Sequence, residues 1–145
     1  MNTSMTPQVG DALPEWRVDS VDADKIRMMA LILEDPNPIH YDLNAVREAK
    51  LGDRYVNQGG VTMAYIINML TSWSGSRAAI RNLDCRFSAN VFAGDSLVAG
   101  GTVTGLSTVG DEVLAECDVW VRKASNDSEA PPVVGGKATV VINAR

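Results

Sequence analysis

Gly60-Val61-Thr62-Met63-Ala64-Tyr65-Ile66-Ile67-Asn68-Met69-Leu70-Thr71-Ser72 is the stretch on which the fold turns. Val61, Met63, Ala64, Ile66, Ile67, Met69 and Leu70 cover most of a helix's circumference. A helix that is apolar nearly all round is normally buried, and this one is too short to cross a bilayer, which takes roughly 20 residues. Gly59 and Gly60 stand at its start, where backbone amides lack helical partners. From Leu83 onward the period changes to two. Leu83, Cys85, Phe87, Ala89 and Val91 alternate with polar residues, and Val113, Ala115, Cys117, Val119 and Val121 alternate in part. Leu97–Leu106 and Lys137–Asn143 also have strand composition, with turn signals at Phe92-Ala93-Gly94-Asp95 and Val109-Gly110-Asp111. A buried helix followed by hairpin-connected strands predicts an α+β domain, its antiparallel sheet wrapped around the Gly60–Ser72 helix.

Upstream, a short strand is expected near Trp16. Ile26, Met29, Ala30 and Leu33 follow helical spacing over Asp22–Leu33, with Asp22 as N-cap and Pro36 as the stop. Downstream, Lys123–Gly136 gathers Ser, Asn, Asp, Pro and Gly, the composition of an exposed hairpin loop. There is no internal repeat, so residues 1–145 are expected to form one domain.

Composition removes several function classes. The chain carries 13 Lys+Arg against 18 Asp+Glu, a formal charge of −5, and its basic residues are scattered. Nucleic acid is therefore a poor partner. The single histidine, and two cysteines far apart in sequence, cannot assemble a Cys/His zinc site within one chain. Any Ser/His/Asp arrangement would have to use His40. No run approaches the length of a membrane span, and Met1–Glu15 lacks a signal-peptide pattern. Both cysteines fall on apolar strand faces, so free thiols in a reducing cytoplasm are expected.

One segment carries candidate chemistry: Leu33-Glu34-Asp35-Pro36-Asn37-Pro38-Ile39-His40. It sets a carboxylate and the only imidazole five positions apart. The two prolines between them hold two φ angles near −65°. Such a loop loses little entropy on ordering and presets the separation of its two ionisable ends, as general acid–base catalysis requires. The bland alternative is a turn with a satisfied surface histidine, since Asp-Pro and Asn-Pro commonly start turns.

Asp35-Pro36-Asn37-Pro38-Ile39-His40 resembles the D-x-N-P-hydrophobic-H core of the MaoC-like dehydratases, the (R)-specific enoyl-CoA hydratase family. Ala45 stands where that family has a small residue. Gln58-Gly59-Gly60-Val61-Thr62 occupies the place of its H-G-M-hydrophobic stretch, and Phe92-Ala93-Gly94-Asp95 is similar to its G-D turn. The resemblance runs from about Val9 to Asn143. It implies a hot-dog fold and the addition or elimination of water at a 2-enoyl or 3-hydroxyacyl thioester. By position, it implies Asp35 and His40 as the acid–base pair and Gly59 as amide donor to the thioester oxygen. Asn37, Gln58 and Gly60 are implied as supporting residues.

The sequence departs from the family pattern twice. Leu33-Glu34 replaces the frequent Ser-Gly before the aspartate, and Gln58 replaces the frequent histidine. No metal or redox cofactor is expected; coenzyme A enters as part of the substrate. The expected partners are an acyl-CoA thioester and further copies of the chain, at least a homodimer, because an exposed sheet edge is normally covered. Two alternatives remain: a hot-dog acyl-CoA thioesterase, and a non-catalytic acyl-binding subunit of a heteromeric dehydratase. Weaker candidates are Trp73–Arg77 at the acyl pocket, and Lys50, Arg54, Arg77 or Arg81 at a coenzyme A phosphate.

Overall fold

A computed structural model describes residues 6–124 and 130–142. The elements in chain order are β1 (Trp16–Val18), α1 (Ala23–Ile32), α2 (Leu43–Glu48), α3 (Gly59–Ser74), β2 (Ile80–Phe87), β3 (Leu97–Val109), β4 (Glu112–Lys123) and β5 (Val134–Val141). One-turn 3₁₀ segments cover Pro38–His40 and Arg77–Ala79. The five strands form one antiparallel sheet in the order β1-β3-β4-β5-β2. Helix α3 packs along it and touches every strand. A long helix laid in a curved antiparallel sheet is the hot-dog arrangement.

The period-two reading of β4 holds, with Ala115, Cys117, Val119 and Val121 all buried. With Ala99 and Val103 of β3 and Val134, Ala138 and Val140 of β5 they make the sheet side of the core. Thr62, Ile66, Met69 and Leu70 of α3 face them. The centre of the expected Lys123–Gly136 loop, residues 125–129, lies outside the described residues, as does Asn143.

Three expectations need correction. First, β2 and β3 are not hairpin neighbours. β2 pairs with β5 at the far edge, so only β3-β4-β5 run in sequence order. The residues between β2 and β3 cross the sheet's end instead. The Asn57 N–H donates to the Val91 carbonyl and the Ala93 N–H to the Tyr55 carbonyl, tying the crossing to the approach to α3. Ala89 and Val91 therefore lie beyond β2, and Phe87, at the end of an edge strand, is half-exposed.

Second, α3 is not buried all round. Val61, Met63, Ala64, Tyr65 and Ile67 are only partly covered, because one sheet encloses one side of a helix. Third, Pro36 does not stop α1, and Leu33 is exposed rather than part of the buried stripe. Only Ile26 and Ala30 are buried in that helix, and it ends earlier, in a Schellman arrangement. The Glu34 N–H donates to the Leu31 carbonyl (3.3 Å) and the Asp35 N–H to the Ala30 carbonyl (2.9 Å). Glu34 adopts φ +51°, left-handed backbone that normally calls for glycine.

Candidate active site

The reversal at Glu34 delivers Asp35 to a chain of small turns. Asp35 Oδ1 accepts from the Asn37 N–H at 3.0 Å, and Asn37 Oδ1 accepts from the Ile39 N–H at 3.3 Å. The second bond caps the 3₁₀ turn that begins at Pro38. The Tyr41 hydroxyl closes the loop by donating to the Pro36 carbonyl at 3.0 Å. Asn37 is thus a local strut, its side chain bonded within the loop.

These turns bring Asp35 and His40 together. His40 Nε2 lies 3.2 Å from Asp35 Oδ2. The imidazole is buried (6% exposed), while the Asp35 side chain is 31% exposed, so the pair has one closed and one open side. His40 Nδ1 is 2.5 Å from the Val56 carbonyl oxygen. A carbonyl only accepts, so Nδ1 carries a hydrogen and donates it. Nε2 then faces a carboxylate oxygen, and their close contact needs one proton between two lone pairs. The Val56 N–H donates back to the Ile39 carbonyl at 3.1 Å, making the tie reciprocal.

Val56 also leads, through Asn57 and Gln58, into α3. Gly59 and Gly60 are the first two residues of that helix and are exposed. Their N–H groups have no carbonyl four residues back to bind. The N-cap, Gln58, makes no side-chain cap bond. Its Nε2 donates to the Ile26 carbonyl at 2.8 Å, and its Oε1 is buried without a partner among the described residues. Gln58 is 2% exposed and acts as a strut between α1 and α3. The helix's positive end therefore stays open at Gly59, beside the Phe87 ring, whose Cε1 would lie 3.4 Å from a Cβ added there.

Two cavities flank α1. A groove of about 560 Å³ borders Asp35 and is walled by Arg27, Leu31, Glu34, Pro36 and Tyr41. On the other flank, a cavity of about 420 Å³ lies between β1, α1 and the Val61-Tyr65-Asn68 face of α3. It does not touch Asp35 or His40 directly, but Asn57 and Val61 in its wall bracket the Gln58–Gly60 corner. Asn57 is buried and its Nδ2 donates to Thr62 Oγ1 at 3.0 Å. Burial raises the Tyr65 hydroxyl pKa, while its contact with the Asn57 side chain pulls it down.

Sequence reasoning missed Val56, Asn57 and Tyr65. Val56 contributes a backbone carbonyl, which leaves no side-chain signal. Asn57 and Tyr65 are joined only once α3 winds. Among the weaker candidates, Arg54 is paired with Asp95 at 2.9 Å and Arg81 with Glu112. Trp73 packs against the core. Burial, with Glu116 and Asp118 nearby, pushes the Cys117 thiol up to about 11, so this cysteine stays a protonated core residue.

The chain matches the family described as MaoC like domain over residues 6–123. It belongs to that family. Solved structures of similar fold include the MaoC-like dehydratase from Rhodospirillum rubrum, 23% identical with TM-score 0.77, covering 96% of this chain and 94% of that one. The (R)-hydratase from A. caviae involved in PHA biosynthesis is 21% identical with TM-score 0.74, covering 94% and 98%. A chain of the ChsH1–ChsH2 complex from Mycobacterium tuberculosis is 22% identical with TM-score 0.74, also covering 94% and 98%. A comparison with curated protein sequences gave no significant match. The described part of this MaoC-like domain contains no helix long and apolar enough to cross a membrane.

Proposed function

We propose that this MaoC-like domain is an (R)-specific 2-enoyl-CoA hydratase, or 3-hydroxyacyl-CoA dehydratase in reverse, with Asp35 and His40 as its acid–base pair. The observation that carries this reading is the 3.2 Å contact between His40 Nε2 and Asp35 Oδ2, with Nδ1 anchored on the Val56 carbonyl.

Water adds across the double bond of the thioester, hydroxyl to C3 and hydrogen to C2. In the proposed step a water at the open side of the pair loses a proton to Asp35 as its oxygen attacks C3. His40 Nε2–H gives a proton to C2. Negative charge builds on the thioester oxygen meanwhile, and the Gly59 N–H at the start of α3 is the proposed donor to it. Transfer from Asp35 Oδ2 to His40 Nε2 then restores the resting pair. The C3–O bond forms as the C2=C3 π bond breaks, with two proton transfers and no net oxidation or reduction, so the proposed step calls for no redox cofactor; coenzyme A belongs to the substrate.

Asp35→Asn and His40→Ala are each expected to lower hydration of a 2-enoyl-CoA by 10²–10⁴-fold, the usual contribution of a positioned acid or base. The enone absorbance follows the reaction, and circular dichroism checks that the variants fold. Turnover like the parent's in either variant refutes the assignment. Release of free thiol would point instead to a thioesterase.

The half-covered Met63, Ala64 and Ile67 of α3 and the unpaired edge of β2 support assembly with a second copy of the chain. The two unpaired cysteines suit a cytoplasmic location.

A further inference from the structure

The polar residues in the wall of the 420 Å³ cavity have no part in the acid–base step. On the proposed hydratase reading, the acyl chain must run away from Gly59, and this cavity begins at Asn57 and Val61, on either side of it. Val61, Tyr65 and Asn68 follow i, i+4, i+7 spacing, so they form one stripe about 10 Å long on α3. Trp16, Val18, Ile26 and Met29 supply apolar surface opposite. The wall is apolar in its larger part, with Arg17, Ser20, Asp22 and Lys25 also on it, and the few polar groups placed in such a pocket fix what it accepts.

We infer that the cavity selects an acyl chain bearing an oxygen function, a hydroxyl or a keto group, over a hydrocarbon chain of the same length, through Tyr65, Asn57 and Asn68. These three side chains keep spare hydrogen-bonding capacity. An Asn side chain offers two donor hydrogens and an acceptor oxygen with two lone pairs. Asn57 uses one donor on Thr62 and one contact on Tyr65, which leaves capacity over. Asn68 makes no side-chain hydrogen bond among the described residues, lines the cavity and is exposed. The Tyr65 phenol carries an O–H and can donate as well as accept.

A methylene chain drawn over these groups strips their water and returns nothing. A chain with a matching oxygen replaces the water it displaces. Sites with built-in polar groups discriminate strongly against analogues that leave them unpaired.

The test pairs a medium-length straight 2-enoyl-CoA with the same chain bearing a hydroxyl or keto group near its far end. The parent protein is expected to favour the oxygenated chain by tenfold or more in kcat/KM. Tyr65→Phe and Asn68→Leu are each expected to shrink that ratio several-fold, mainly by improving KM for the hydrocarbon. Two variants on different turns guard against one of them misfolding. Equal or inverted preference in an active parent protein overturns the inference and leaves the hydratase reading standing. A preference that persists unchanged in both folded variants overturns the residue assignment. If no enoyl or 3-hydroxyacyl thioester turns over at all, the hydratase reading falls, and this inference with it.

Discussion

Replacing Glu34 with glycine should make the protein more stable, although it removes a side chain. Glu34 sits at φ +51°, and Lys50, at φ +58°, repeats the arrangement after α2. There the Lys50 N–H donates to the Arg47 carbonyl (2.9 Å) and the Leu51 N–H to the Val46 carbonyl (3.1 Å). Left-handed backbone costs a non-glycine residue about 1–2 kcal/mol. Glycine returns about 0.5–1 kcal/mol of that through the entropy of the unfolded chain. The net gain is about 0.5–1 kcal/mol at each position, or about 2–3 °C in Tm for a chain of this size. Thermal melts of Glu34→Gly, Lys50→Gly and the double variant read it directly. The two sites lie on separate helix ends, so their gains should add. Glu34→Val is the opposite control, since a β-branched residue tolerates this conformation least, and its Tm should fall. A lower Tm for Glu34→Gly would show that the glutamate side chain contributes more than its backbone costs, and the strain argument would be wrong. The family pattern that resembles this segment carries a glycine at the same place, which is what this backbone turn would select.

Two further outcomes follow from the same geometry. Gly59→Ala should fold normally, since the added Cβ meets Phe87 Cε1 at 3.4 Å and alanine suits a helix's first turn. If the Gly59 amide serves the thioester oxygen, the methyl obstructs its approach and kcat should fall by tenfold or more with Tm unchanged; an unchanged kcat would remove Gly59 from the mechanism. Asp95 is opposed by burial, but the Phe92 N–H, Lys123 and Arg54 hold its carboxyl below the ordinary carboxylate range. A depressed folded pKa gives stability that is present above the unfolded value, near 4, and is lost as pH falls through the folded value. The Tm difference between the parent and Asp95→Asn should therefore be largest near neutrality and shrink in acid. A pH-independent difference would mean that the ion pairs of Asp95 with Arg54 (2.9 Å) and Lys123 (3.1 Å) contribute nothing measurable.

What the sequence revealed, and what it hid, separates along physical lines. Helix α3 and strand β4 were legible because burial writes a period into a continuous run of side chains. The place of β2 at the far edge was not, because strand order depends on which segments meet across the sheet, and Leu83-Cys85-Phe87 alternate the same way wherever they pair. The exposed face of α3 was hidden for a related reason. Met63, Ala64 and Ile67 are apolar as in a fully enclosed helix, yet one sheet covers only one side. Their apolarity records a surface that this single chain does not cover.

The candidate site divides the same way. Asp35 and His40 share one proline-stiffened segment, so both were visible as side chains at a set spacing. What turns that spacing into a 3.2 Å contact is main chain: the left-handed turn at Glu34, the Asn37 N–H on Asp35, and the Val56 carbonyl on His40. The last of these matters most for chemistry. If Nδ1 were free to rotate to another acceptor, Nε2 would lose its fixed direction and the pair would be two neighbours without a shared proton. Because the Val56 carbonyl holds Nδ1, Nε2 faces the carboxylate, and the residue that supplies this carbonyl lies three positions before helix α3. The proposed acid–base pair and the start of the helix are thus tied to a single run of backbone, Val56 to Gly60, so a displacement of one moves the other with it.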